Sequence, residues 1–82
     1  MCREEIYIKL TSIFRDVFDD DSICINDGTT PDDIEDWDSI GHTYLMVEIE
    51  DEFAIKLGDR VTSIKCVKDI VELIEEKTTG AN

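Results

Sequence analysis

Apolar residues recur at helical spacing in three separate stretches of this chain, and in no stretch with the alternation of a strand. Ile6, Leu10, Ile13, Phe14 and Val17 fall at i, i+4, i+7, i+8 and i+11, which predicts a helix over residues 3–18 with Ile8 off its apolar face. A second helix is expected over residues 39–53, with Leu45, Met46, Ile49 and Phe53 on its core face and His42 near the middle of that face. Val67, Ile70, Val71 and Ile74 mark a third, over residues 67–77, after which residues 78–82 are expected to fray. Residues 59–64 have room for one further helical turn. Each apolar stripe must be buried against another, so the prediction is an all-α fold, a small three-to-four-helix bundle with a long first loop.

That loop, residues 19–37, loses the period and is dominated by Asp, Asn, Gly, Thr and Pro. Thr30 as an N-cap with Pro31 at the first helical position predicts one short turn inside it. Ile23, Ile25 and Ile34 are expected to pin the loop to the core, and Trp37 to anchor its end on the second helix. A connection of this length in a small domain tends to have a functional reason.

With 82 residues the chain is expected to form a single domain over 1–82, with a modest core and no deep multilayer cleft. A self-sufficient enzyme is therefore disfavoured. No apolar run is long enough to span a bilayer, and Met1-Cys2-Arg3-Glu4-Glu5 does not read as a signal peptide, so a cytoplasmic protein without membrane insertion is expected. Cys2, Cys24 and Cys66 are odd in number, widely spaced and without a C-x-x-C pair, the pattern of reduced thiols that are buried or incidental.

Charge adds a further constraint. Twenty-one acidic residues face eight basic ones, for a formal net charge of −13, and no Lys or Arg lies between Arg15 and Lys56. Such a surface repels nucleic acid and anionic lipid and favours encounter with basic patches on other proteins. The chain itself is expected to be a monomer.

The acidic loops do not form a calcium site of the EF-hand type, which needs oxygen ligands first, third and fifth, a sixth-position glycine and a twelfth-position glutamate. Placing Gly28 sixth puts Ile23 first and Ile25 third; placing Gly41 sixth puts Ile40 fifth and Val47 twelfth. Nucleophilic catalysis fares no better. His42 is the only histidine, lies on the expected core face, and no G-x-S-x-G elbow surrounds Ser39.

Asp38-Ser39-Ile40 opens the second helix, where a serine hydroxyl is exposed beside backbone N–H groups left free by the first turn. A phosphate at that place meets donors and the positive end of the helix dipole, so Ser39 reads as an attachment point rather than a catalyst. Asp38 equally suits the N-cap. Ile40, Tyr44 and Val47 form a second apolar stripe with Asp51 among them and Glu48 at its margin. Either the stripe is open to a partner protein or the loop covers it. Gly41, costly within a helix, has two accounts: tolerance near a helix end, or room for a prosthetic arm or a partner's backbone.

The run Asp36-Trp37-Asp38-Ser39-Ile40-Gly41-His42, then Leu45 and Met46, then Glu48-Ile49-Glu50-Asp51-Glu52-Phe53-Ala54-Ile55, resembles the acyl carrier proteins, whose hallmark is D-S-L followed by an acidic helix ending in E-E-x-F-x-I. The likeness extends through residues 64–73 and covers nearly the whole chain. It implies a carrier, not an enzyme: a phosphopantetheinyl transferase moves 4′-phosphopantetheine from coenzyme A onto Ser39, and the arm's thiol carries acyl groups as thioesters. It further implies that Ile40, Val47, Glu48, Glu50 and Asp51 contact basic surfaces of partner enzymes, among them the transferase, an acyl-loading ligase, and acyl-processing enzymes or acyltransferases. Asp38 would help to orient the modified serine.

The chain departs from the pattern in places: Ile40 replaces the usual leucine, Tyr44 an acid, Cys66 a helix-capping threonine and Gly58 a proline. These departures imply a specialised stand-alone carrier rather than one of housekeeping fatty acid synthesis. Two alternatives stay open at this point. A peptidyl or aminoacyl carrier usually has G-G-x-S around its serine, which Trp37-Asp38-Ser39 lacks. An unmodified acidic adaptor would dock its second helix on a basic partner with no need of Ser39.

Overall fold

The computed structural model describes residues 2–79 and shows three α-helices, α1 (Arg3–Val17), α2 (Ser39–Phe53) and α3 (Val67–Thr79), with a 3₁₀ helix (Gly58–Ser63) between the last two. Among the described residues there is no strand, as the periodicity predicts. The three apolar stripes meet in one core: Ile6, Leu10, Ile13 and Phe14 of α1, Leu45, Met46, Ile49 and Phe53 of α2, and Val67, Ile70, Val71 and Ile74 of α3 are all buried. Ile8 points to solvent.

Boundaries differ from expectation in three places. Helix α1 stops at Val17, and the buried Phe18 serves as its C-cap, its N–H bonded to the Phe14 carbonyl at 3.0 Å. The segment expected as one turn over 59–64 is a 3₁₀ helix that begins and ends one residue earlier. Helix α3 runs on through Thr79, where fraying is expected; Thr78 Oγ1 donates back to the Ile74 carbonyl at 2.8 Å and so reinforces the last turn. Residues 80–82, the remainder of that expected fraying, lie outside the described residues.

The long loop is irregular but tightly held. Ile23 is buried, and Ile25 and Ile34 pack partly buried against the core. The expected turn forms at residues 31–33, with the Asp33 N–H on the Thr30 carbonyl and the Thr30 N–H on the Asp33 carboxylate. Thr29, not singled out from sequence, is the loop's buried polar residue: its Oγ1 accepts from the Asn26 N–H at 2.9 Å and its carbonyl accepts from the Val67 N–H at 2.8 Å. The Asp27 carbonyl takes the Lys68 N–H at 3.2 Å. Two first-turn donors of α3 are thus satisfied by loop carbonyls, which explains how Cys66 stands where a side-chain cap is usual.

The loop's end presses onto α2. A Cβ at Gly41 would lie 2.4 Å from the Asp36 carbonyl oxygen and 2.9 Å from the Phe18 ring. Neither account of Gly41 offered from the sequence holds: the space a side chain would fill is taken by the chain's own loop backbone and by α1. The three thiols are free, with Cys2 and Cys24 exposed and Cys66 half-buried, so burial does not explain the first two. Among the described residues no helix is long and apolar enough to cross a membrane, and no group of side chains is placed to hold a metal ion.

Two substitutions test these backbone constraints. Gly41→Ala gains about 1 kcal/mol in helix propensity, yet the clash with a backbone carbonyl outweighs it and lowers stability by about 1–3 kcal/mol in denaturant unfolding. A neutral or stabilising result contradicts the close approach. Ala54 caps α2 in the left-handed region, at φ 54° and ψ 47°, where glycine carries no Cβ penalty. Ala54→Gly is therefore expected to raise stability by about 1 kcal/mol by the same measurement.

Candidate functional site

The N-terminus of α2 is organised by Asp38. Its backbone is extended, its carboxylate Oδ1 accepts the Gly41 N–H at 2.9 Å, and its carbonyl accepts the His42 N–H at 2.7 Å. Asp38 is thus the N-cap, and Ser39 is the first residue of the helix, with its side chain exposed. The Thr43 hydroxyl donates to the Ser39 carbonyl at 3.0 Å and braces the first turn. The N–H groups of Ser39 and Ile40 make no hydrogen bond to the described residues. An exposed hydroxyl beside free donors at a helix N-terminus suits a covalently held anion.

Beside Ser39 opens a groove of about 450 Å³, lined by Trp37, Asp38, Ser39, His42, Val61 and Ile64 among others. Its walls come from the loop end, α2 and the 3₁₀ helix. Trp37 is only 3% exposed and packs edge-on against Phe14 of α1, with ring centroids 5.2 Å apart and planes at 87°. The His42 ring lies beside it and nearly parallel, with centroids 6.1 Å apart and planes at 17°. The indole N–H donates to His42 Nδ1 at 2.9 Å, and His42 Nε2 lies 2.9 Å from the Val61 carbonyl oxygen. Both ring nitrogens are engaged away from Ser39, so no histidine–serine relay exists. The expectation of a packed imidazole is met. Val61 was not legible as its partner: W-x-x-x-x-H spacing hints at the indole contact, but nothing in the sequence links His42 to a carbonyl nineteen residues on.

The solvent side of α2 bears Ile40, Tyr44 and Val47, which are 69%, 64% and 54% exposed. The loop does not cover this stripe. Glu48 and Asp51 beside it are exposed as well. Glu50 differs: it is half-buried, and its carboxylate accepts the Leu57 N–H at 2.8 Å, holding the turn that leaves α2. Of the acids on this helix, Glu52 pairs with Lys9 of α1 at 3.5 Å.

The whole fold is shared with a solved carrier. The solution structure of a holo acyl carrier protein from Geobacter metallireducens superposes with a TM-score of 0.84 at 38% sequence identity, over 92% of this chain and 87% of that one. The chain belongs to the acyl carrier protein family. No protein-family profile and no curated protein matches the sequence. Membership carries the acyl carrier function, a carrier's role rather than a catalyst's, and interaction with partner enzymes as a class. The acyl carrier fold also accounts for the arrangement seen here, in which one helix end, one groove and one exposed stripe lie along α2.

The Asp38 cap is directly testable. Asp38→Ala leaves the Gly41 N–H unpaired and should lower stability by about 1 kcal/mol, whereas Asp38→Asn, which keeps an acceptor oxygen, should recover most of that loss. Chemical denaturation of the three proteins measures this; equal stability of Asp38→Ala and wild type contradicts the cap.

Proposed function

We propose that Ser39 carries a 4′-phosphopantetheine arm and that residues 1–82 act as one acyl carrier domain in the cytoplasm. The observation that carries this reading is the exposed Ser39 hydroxyl on the first residue of α2, in a chain whose fold matches a holo carrier. In loading, Ser39 Oγ would attack the pantetheine-bearing phosphorus of coenzyme A held by a phosphopantetheinyl transferase; the phosphodiester forms as the diphosphate P–O bond breaks, adenosine 3′,5′-bisphosphate leaves and the serine proton is released. When bound, the arm supplies a terminal thiol that holds an acyl group as a thioester.

The chain's residues fit that group. The N–H groups of Ser39 and Ile40 and the positive end of α2 favour a phosphate at this oxygen. Asp38 keeps its own carboxylate turned to the Gly41 N–H, which orients the serine without competing for it. Trp37, Val61 and Ile64 line the adjacent groove with apolar surface for the stem of the arm.

Partner enzymes read the outer face of α2. Ile40 and Val47 present apolar anchors, while Glu48, Asp51 and the partly committed Glu50 surround them with negative charge. A basic surface on the transferase, the acyl-loading ligase, or an acyl-processing enzyme or acyltransferase complements this patch, and the net charge of −13 steers the encounter. Cys66, Gly58, Tyr44 and Ile40 stand where fatty-acid carriers have other residues, which supports service in a specialised pathway.

Incubation of the apo protein with coenzyme A and a broad-specificity transferase is expected to add one phosphopantetheinyl group by intact mass, and Ser39→Ala to add none. No gain by wild type, with a known carrier loaded in parallel, overturns the reading. Asp51→Lys is expected to weaken loading about fivefold or more in kcat/KM, through lost steering and a reversed contact, and the wild-type rate to fall as salt rises. Rates indifferent to both place the partner surface elsewhere.

A further inference from the structure

Resting on the reading of Ser39 as the arm's attachment point, we infer that His42 is a positioning residue for that attachment: a neutral imidazole with its proton on Nε2 clamps Trp37 and Val61, and so sets the groove beside the serine. The hydrogen bonds dictate the tautomer. An indole nitrogen only donates, so His42 Nδ1, 2.9 Å away, must be the acceptor. The proton of the neutral ring then sits on Nε2 and is donated to the Val61 carbonyl at 2.9 Å. The other tautomer sets two N–H donors face to face and turns a lone pair on a carbonyl oxygen.

This bridge joins the three elements whose residues wall the groove. Trp37 closes the loop, His42 stands three residues after Ser39 on α2, and Val61 belongs to the 3₁₀ helix. No residue of that 3₁₀ helix is fully buried, so it has little core packing of its own to fix its distance from α2. The indole is almost wholly buried, and its N–H has no ready substitute for the imidazole nitrogen. An apolar side chain at position 42 would serve the core face of α2 as well; only a group that accepts on one side and donates on the other makes this bridge.

Trp37 and His42 are the single tryptophan and single histidine of the chain, so their signals are unambiguous. Nitrogen-15 NMR of wild type is expected to show the Nε2–H tautomer. In loading by a transferase, His42→Leu and Trp37→Phe are each expected to lower kcat/KM about tenfold, the double variant to be no worse than either, and His42→Gln, which keeps an acceptor and a donor, to recover part of the rate. Circular dichroism checks that each variant stays helical; should His42→Leu unfold, the tautomer and the His42→Gln and Trp37→Phe rates decide. An Nδ1–H tautomer, unchanged rates, or fully additive losses overturn the inference while wild type still loads. Failure of wild type itself to load instead sinks the assignment of Ser39, and this inference with it.

Discussion

The pressing of the loop end onto the first turn of α2 is the constraint on which the site depends. The Asp36 carbonyl and the Phe18 ring occupy the space that any side chain at position 41 would need, so the loop, α1 and α2 meet at one glycine. That contact delivers Trp37 into the core against Phe14 and leaves Asp38 in the extended conformation a helix N-cap requires. With Trp37 inside and Asp38 capping, Ser39 stands on the surface as the first residue of the helix. The exposure of the serine is thus a consequence of packing one turn away rather than of local flexibility.

From this start α2 divides its labour by face. Leu45, Met46, Ile49 and Phe53 enter the core, and Ile40, Tyr44 and Val47 stay outside it among carboxylates. Between the two faces lie residues that tie neighbouring elements to the helix: His42 toward the 3₁₀ helix and Glu50 toward the Leu57 N–H. A helix apolar on two sides ordinarily sits deep in a larger protein or against a partner. In so small a domain that second side stays open to solvent, bordered by the exposed carboxylates of Glu48 and Asp51.

Much of this was legible in the sequence because it follows from periodicity. The three stripes placed the helices and most of the core, though Phe18, Leu57 and Leu73 are buried outside them and Val17 is only partly buried; Pro31 and Thr30 marked the loop's turn, and the residue type at position 38 announced the cap. The failures share a physical origin: they depend on backbone atoms brought together by tertiary structure. Val61 enters the site through its carbonyl, and Thr29 and Asp27 cap α3 through theirs, so side-chain identity carries no signal of either role. Gly41 did stand out, but the group crowding it is a carbonyl of the same chain, which no spacing rule identifies. The persistence of α3 to Thr79 was likewise hidden, since the Thr78 hydroxyl returns to its own helix instead of to solvent.

The family relationship makes the chain a carrier, and the role proposed for Ser39 would give its helix end a tether to hold, with a groove beside it and a charged face along α2. What separates this account from that of an acidic adaptor of the same shape is one covalent bond. Tandem mass spectrometry of the protein purified from its own host is the most direct measurement. The account predicts a phosphopantetheinyl adduct on the peptide containing Ser39, localised to that oxygen, in a substantial share of the molecules. Native protein that is wholly unmodified at Ser39, or that bears the adduct on another residue, contradicts it.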